Sequence, residues 1–257
     1  MLAFCRRISV MNRDWLKYSL ATMVVLTGLA GTDRGQEVAP ESGVRETNRA
    51  DFFAKFAVTD YDAPLPENAE ELEQRRLKGQ RYDNQNWVVK EPNHDVDYAR
   101  RSIKPAPVPT YPIEESDVIV TGLATAASAY LSNDKTGVYT EYTIRVDQVL
   151  KDNSSRKLSS GIAITIDRTG GAVRYPDGHK IGYLVAEKKL PSVGALYVLF
   201  LRDDKRSKNF EVVTLYELKV DSVIPLDSGF QFDEVKGMTK SDFMKTLQEK
   251  LVKAADH

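Results

Sequence analysis

The sequence predicts a mainly β protein: a small antiparallel barrel with a C-terminal α-helix, set behind an extended proline-rich arm. Three observations predict it. From Asp117 onward, short β-branched or alternating segments follow one another with no helical pattern between them. Phe243, Leu247 and Leu251 then repeat at helix spacing near the end of the chain. Eight of the eleven prolines fall between Gly31 and Pro112, which divides the chain into two regimes.

The first element is a targeting segment. Arg6, Arg7, Arg13 and Lys17 stand against Asp14 alone, and an uncharged stretch runs from Tyr18 to Gly31. As a helix those fourteen residues span about 21 Å, short of a bilayer core of roughly 30 Å. A basic start and a short apolar run predict a secretory signal peptide over 1–30, cut before Gly31, with Gly28 and Ala30 as the small residues of the cleavage site. The alternative is an uncleaved anchor. Met11 is a second candidate start, because Met11 onward already forms a compact signal. Cleavage removes four positive charges and one negative, leaving a net charge of −4 and no cysteine.

Residues 31–112 read as the polar arm. Pro40, Pro64 and Pro66 interrupt any element. Phe52, Phe53 and Phe56 form an apolar cluster, either a helical turn or a docking patch. A short helix is predicted over 67–78, with acids leading, bases trailing and Gly79 placed to end it. Only Leu72 and Leu77 are apolar there, the pattern of a solvated helix. Tyr82 and Trp87, set among amides, either pin the arm to its own domain or bind something, as a carbohydrate site would with such groups. Lys104 to Pro112 alternates proline with other residues and reads as a polyproline II spacer at the domain boundary.

The barrel domain is predicted over 113–257. Asp117 to Gly122 is a β-branched run, and Ser132 to Gly137 a polar turn. From Gly137 to Leu150, Tyr142, Ile144 and Val146 share one face, with Glu141, Thr143, Arg145 and Asp147 on the other. Ile162, Ile164 and Ile166 point inward in the next strand, with Ala163, Thr165 and Asp167 outward. Pro176-Asp177-Gly178 is a hairpin signal between 172–175 and 179–185. Leu196 to Leu201 is apolar on both faces, as a strand covered on both sides should be. Strands over 210–218 and 220–226 follow, then a helix over 240–254 capped by Thr239 or Ser241. About seven strands without intervening helices exclude a parallel α/β sheet and fit a small closed or nearly closed barrel.

Composition excludes several functions. With 36 Lys+Arg against 37 Asp+Glu, the chain lacks the basic excess of a nucleic-acid binder. One cysteine, Cys5, excludes a disulfide framework and a cysteine-cluster zinc site. No cofactor is expected. Catalytic motifs are equally scarce. There is no Gly-x-Ser-x-Gly elbow, no Gly-Lys-Ser/Thr phosphate loop, and no carboxylate pair that stands out from the rest. His179 beside the Pro176-Asp177-Gly178 turn is the one candidate base on the domain, and it reads as an exposed hairpin residue. Gly170-Gly171, between Arg168 and Arg174, either exposes backbone N–H groups to an anion or makes a bulge or turn. Arg168, Gly170, Gly171, Arg174 and His179 therefore form the candidate ligand surface, and Phe52, Phe53, Phe56, Tyr82 and Trp87 the candidate docking residues of the arm.

The order of Ser116 to Gly122, Tyr139 to Leu150, Leu190-Pro191-Ser192-Val193-Gly194 and Tyr197 to Leu201 resembles uncharacterised secreted proteins of soil bacteria such as acidobacteria. Arg81 to Val88 resembles a segment of the same group. That resemblance covers most of the chain and brings no activity with it. Residues 113–227 are more distantly similar to the netrin and tissue-inhibitor-of-metalloproteinase type of OB-fold, which implies an OB-like barrel. Those inhibitors work through an N-terminal cysteine that is absent here, so inhibition is not implied. The resulting expectation is an exported module, periplasmic or extracellular, that binds without catalysis. An envelope protein or glycan is the expected partner, with no nucleic acid and no membrane span after cleavage. Two alternatives stand beside it: a cell-envelope hydrolase using unidentified carboxylates, and an interaction protein that works through its arm with the barrel as support.

Overall fold

The structure is a computed structural model that describes residues 51–90, 98–103, 108–206 and 209–255. The expected signal segment and its cleavage site lie outside the described residues. The chain is mainly β. In order it forms β1 (Val58–Asp60), α1 (Ala69–Gln80), β2 (Val88–Lys90), β3 (Tyr98–Arg101), β4 (Val118–Leu131), β5 (Val138–Asp152), β6 (Ala163–Thr169), β7 (Gly171–Arg174), β8 (Lys180–Val185), β9 (Leu196–Asp204), β10 (Asn209–Leu218), β11 (Val223–Pro225), a 3₁₀ turn over Phe230–Val235, and α2 (Lys240–Ala255).

The larger sheet has the order β11-β10-β6-β5-β4-β9, and β9 also pairs with β10. All of its pairings are antiparallel except β10 with β6, which run parallel over only Phe210↔Ile166 and Glu211↔Asp167. This short seam leaves the sheet unclosed along most of its length. The pairing of β4 with β5 shifts register at three places, and such bulges let a long strand coil.

Strand alternation sorts the side chains as the sequence predicts. Tyr142, Ile144, Val146, Ile164 and Ile166 join Val120, Leu199 and Leu201 in one buried core on one side of the sheet. The opposite face of β9, Val198 and Phe200, belongs to a second core with Phe243 and Leu247 of α2. β9 is thus covered on both faces, which explains its unbroken apolar run. The terminal helix lies across a face of the sheet. Thr239 starts it by accepting from the backbone N–H of Asp242 at 3.2 Å and donating to that carboxylate at 2.8 Å. Each fully buried Leu or Phe here contributes about 1.5–3 kcal/mol.

The region expected as an extended arm departs from that expectation. Its strands β1, β2 and β3 join the β7–β8 hairpin in a second sheet ordered β1-β7-β8-β3-β2. Strands of three or four residues carry too little alternation to announce themselves. Helix α1 is capped by Asn68, which accepts from the N–H groups of Glu70 and Glu71. Gly79 lies inside this helix rather than ending it. Any Cβ there would sit 2.6 Å from Asn133 Oδ1, so the glycine permits the helix to approach the β4–β5 turn. The helix is also tied to β5 by Lys78, whose ammonium lies 2.9 Å from Glu141.

Candidate functional site

Beyond its two paired residues the β6–β10 seam opens. β10 is irregular between Val212 and Thr214, and the crossing segments 187–189 and 226–228 are stitched to each other near it. Lys189 donates its N–H to Leu226 O at 2.7 Å, and Ser228 donates to Glu187 O at 2.9 Å. The result is a cavity of about 170 Å³ lined by Arg81, Tyr82, Asp167, Arg168, Lys188 and Asp227, among others. A second cavity of about 290 Å³ adjoins it, sharing Lys188, Glu211, Val212 and Asp227 and adding Val213 and Phe232.

Arg168 lines the smaller cavity. Its side chain is 3% exposed. Nη2 donates to Asp227 Oδ1 at 2.5 Å and to Leu226 O at 3.3 Å, whereas Nε and Nη1 have no partner. A buried charged donor without an acceptor costs on the order of 1–3 kcal/mol or more, so these two nitrogens call for an acceptor that a water or a ligand in the cavity supplies. Lys188 lines the same cavity and makes no ion pair within 4.0 Å among the described residues. Burial, and then the neighbouring Arg168 charge, push its pKa down, against the pull of Asp227 and Glu211.

The carboxylates of the cleft have basic partners, although the Glu211 pair is half exposed. Asp167 is paired with Arg81 at 2.5 Å, Asp227 with Arg168 and with Thr214 Oγ1 at 2.8 Å, and Glu211 with Arg202 at 3.4 Å. Burial pushes Asp167 upward in spite of the Arg81 charge. Asp167 and Glu211 are register partners across the seam, but both attract Arg81. A glycosidase pair would instead flank open space. Among the described residues no group of three or more His, Cys, Asp and Glu is placed to hold a metal ion.

The residues singled out from sequence do not converge. Arg168 lines the cleft, and the lysine and carboxylates around it come from distant segments that share no motif with it. Gly170 and Gly171 form the corner between β6 and β7, with φ of +116° and +148°. A Cβ on Gly171 would lie 2.9 Å from Thr140 Oγ1. Their backbone is used internally, with Gly170 N–H donating to Val138 O and Thr140 Oγ1 donating to Gly170 O. Arg174 pairs with Asp60 at 3.4 Å near the hairpin end. His179 bonds Asp177 and stacks on Tyr175 with ring centroids 4.6 Å apart.

The arm's aromatics are engaged within the fold. Phe53 is buried, and Phe52 lies against Phe53, Phe56 and the bare backbone of Gly182. Tyr82 stacks on Tyr139 at 4.5 Å. Trp87 packs edge-on against Tyr183 and donates to Thr136 O at 3.0 Å. Arg81 reaches Asp167 across 86 residues of sequence, a separation that no local pattern marks.

No protein-family model, no curated protein and no solved structure matches this chain.

Proposed function

We propose that the chain is an exported, non-catalytic binding module built on an OB-like barrel, with its ligand seated in the cleft at the β6–β10 seam. The single observation that carries the binding site is Arg168, a nearly inaccessible guanidinium with two unpartnered nitrogens beside a cavity. The barrel reading draws support from the cyclic run of pairings β4-β5-β6-β10-β9-β4, with the β6–β10 step parallel. Barrels of this kind take ligands on a sheet face or between loops. Here α1 and the residues after it lie over β5 and β6, through Lys78–Glu141, Arg81–Asp167 and Tyr82–Tyr139, which favours the seam over that face. The basic start and the short uncharged stretch of Tyr18 to Gly31 support export to the periplasm or cell exterior.

The close pairing of Asp167 and Asp227 with arginines favours binding over hydrolysis. The test is a thermal-shift screen of the protein against small anions, sugars and envelope glycan fragments, repeated with Arg168→Met. A ligand that raises the melting temperature of the wild type and not of the variant supports the reading. Ligands that stabilise both proteins equally place binding elsewhere and refute the seam site.

A further inference from the structure

We infer that the seam cleft takes a small monocarboxylate with an apolar body, its carboxylate held between Arg168 and Lys188 and its body lying toward Val212, Val213 and Phe232. The inference rests on the binding-module reading and names the ligand's chemistry.

The head group follows from which charges are already used. Three basic residues, Arg81, Arg168 and Lys188, line the smaller cavity with three acids, Asp167, Glu211 and Asp227. Every acid has a basic partner within 4.0 Å. The groups with donors to spare are cationic: Nε and Nη1 of Arg168 and the ammonium of Lys188. A neutral ligand offers these donors only weak acceptors, whereas an anion offers charge-assisted bonds. A dianion would bring its second charge among three carboxylates in a partly desolvated site, where repulsion over a few ångströms is strong. One negative charge is therefore the best match.

The body follows from the neighbouring cavity. It shares the lining residues Lys188, Glu211, Val212 and Asp227 with the first, and it adds Val213 and Phe232. A molecule whose acid reaches Arg168 can leave its other end against these side chains and remove apolar surface from water.

The test uses calorimetric titration of the whole protein with 3-phenylpropionate, 3-phenylpropanol and phenyl phosphate. The expected order is carboxylate tightest, with the alcohol and the dianion each weaker by about tenfold or more. Arg168→Met should lower carboxylate affinity by a similar factor. Lys188→Gln, at a less buried position, serves as the second variant should Arg168→Met fail to fold, and should weaken the acid but not the alcohol. Equal binding of acid and alcohol, lost in Arg168→Met, would overturn the monocarboxylate inference while leaving the seam as a binding site. Tightest binding by phenyl phosphate would also overturn the inference. If no probe binds and no ligand of the wider screen depends on Arg168, both the inference and the binding-module reading fail.

Discussion

Nη2 of Arg81 lies 2.5 Å from Oδ2 of Asp167, joining the residue after α1 to the middle of β6. The Asp167 side chain is 1% exposed and that of Arg81 29%. Arg81 also reaches Asp204, at 3.6 Å. The pair forms one wall of the seam cleft and fastens the N-terminal segment to the larger sheet. Position of the segment and shape of the cleft are therefore coupled.

Breaking this pair one side at a time should be costly. Arg81→Met leaves Asp167 buried and uncompensated, and urea unfolding should show a loss of about 3 kcal/mol. The double variant Arg81→Met/Asp167→Leu should recover part of that loss, because it leaves no buried charge behind. A double variant as unstable as the sum of its single changes would contradict the coupling.

Gly137 provides a second fastening. A Cβ there would lie 2.1 Å from Tyr82 O, a backbone atom that has no rotamer to escape by. Gly137→Ala should displace residues 82–87 and disturb Trp87, which packs on Tyr183. Trp15 and Trp87 are the two tryptophans of the chain, so Trp87 is the sole reporter once residues 1–30 are removed. A red shift in tryptophan emission at an unchanged far-ultraviolet spectrum is the predicted result. An unaltered emission spectrum would mean that the segment absorbs the methyl group without moving.

Helix α2 should be an integral part of the fold. Phe243 is fully buried and contacts Tyr111 and Tyr216, with ring centroids at 5.3 and 4.9 Å. Phe243→Ala should cost about 3–5 kcal/mol by denaturant unfolding. A loss below about 1 kcal/mol would show that the helix is dispensable to the sheet.

Lys188 gives the cleft a pH dependence of known sign. Its folded pKa is depressed by burial and by Arg168, so between that value and the ordinary lysine pKa of about 10.4 the unfolded chain binds more protons. Stability from this group therefore rises with pH across that interval. Lys188→Gln should flatten the rise in denaturant midpoint measured across it. Affinity for an anion should run the opposite way and fall as pH climbs through the folded pKa, because the ammonium is lost. An affinity that holds constant over the same range would exclude Lys188 from the head-group site.

Legibility in the sequence tracked the range of the interactions. The β5 alternation through Tyr142, Ile144 and Val146, the doubly covered strand around Leu199, and the Thr239-capped helix are local patterns, and each appears in the fold. The pairing of β1 with β7 and of β3 with β8 depends on partners far along the chain, so the arm read as extended. Asp167 illustrates the same limit. Its alternation places it opposite Ile166, which suggests solvent, yet Arg81 and Tyr82 cover it from another part of the chain. Arg168 stood out because it adjoins a glycine pair. Its role in a cleft depends on Lys188 and Asp227, whose spacing in sequence carries no motif.

Ligand binding at the seam is read most directly from the Arg168 Nε–Hε resonance, followed by nitrogen–proton correlation spectroscopy while 3-phenylpropionate is added. A saturable shift of that resonance is expected, absent when 3-phenylpropanol is added instead. A resonance that stays fixed while signals elsewhere in the protein move would place the ligand outside the seam and refute Arg168 as its anchor.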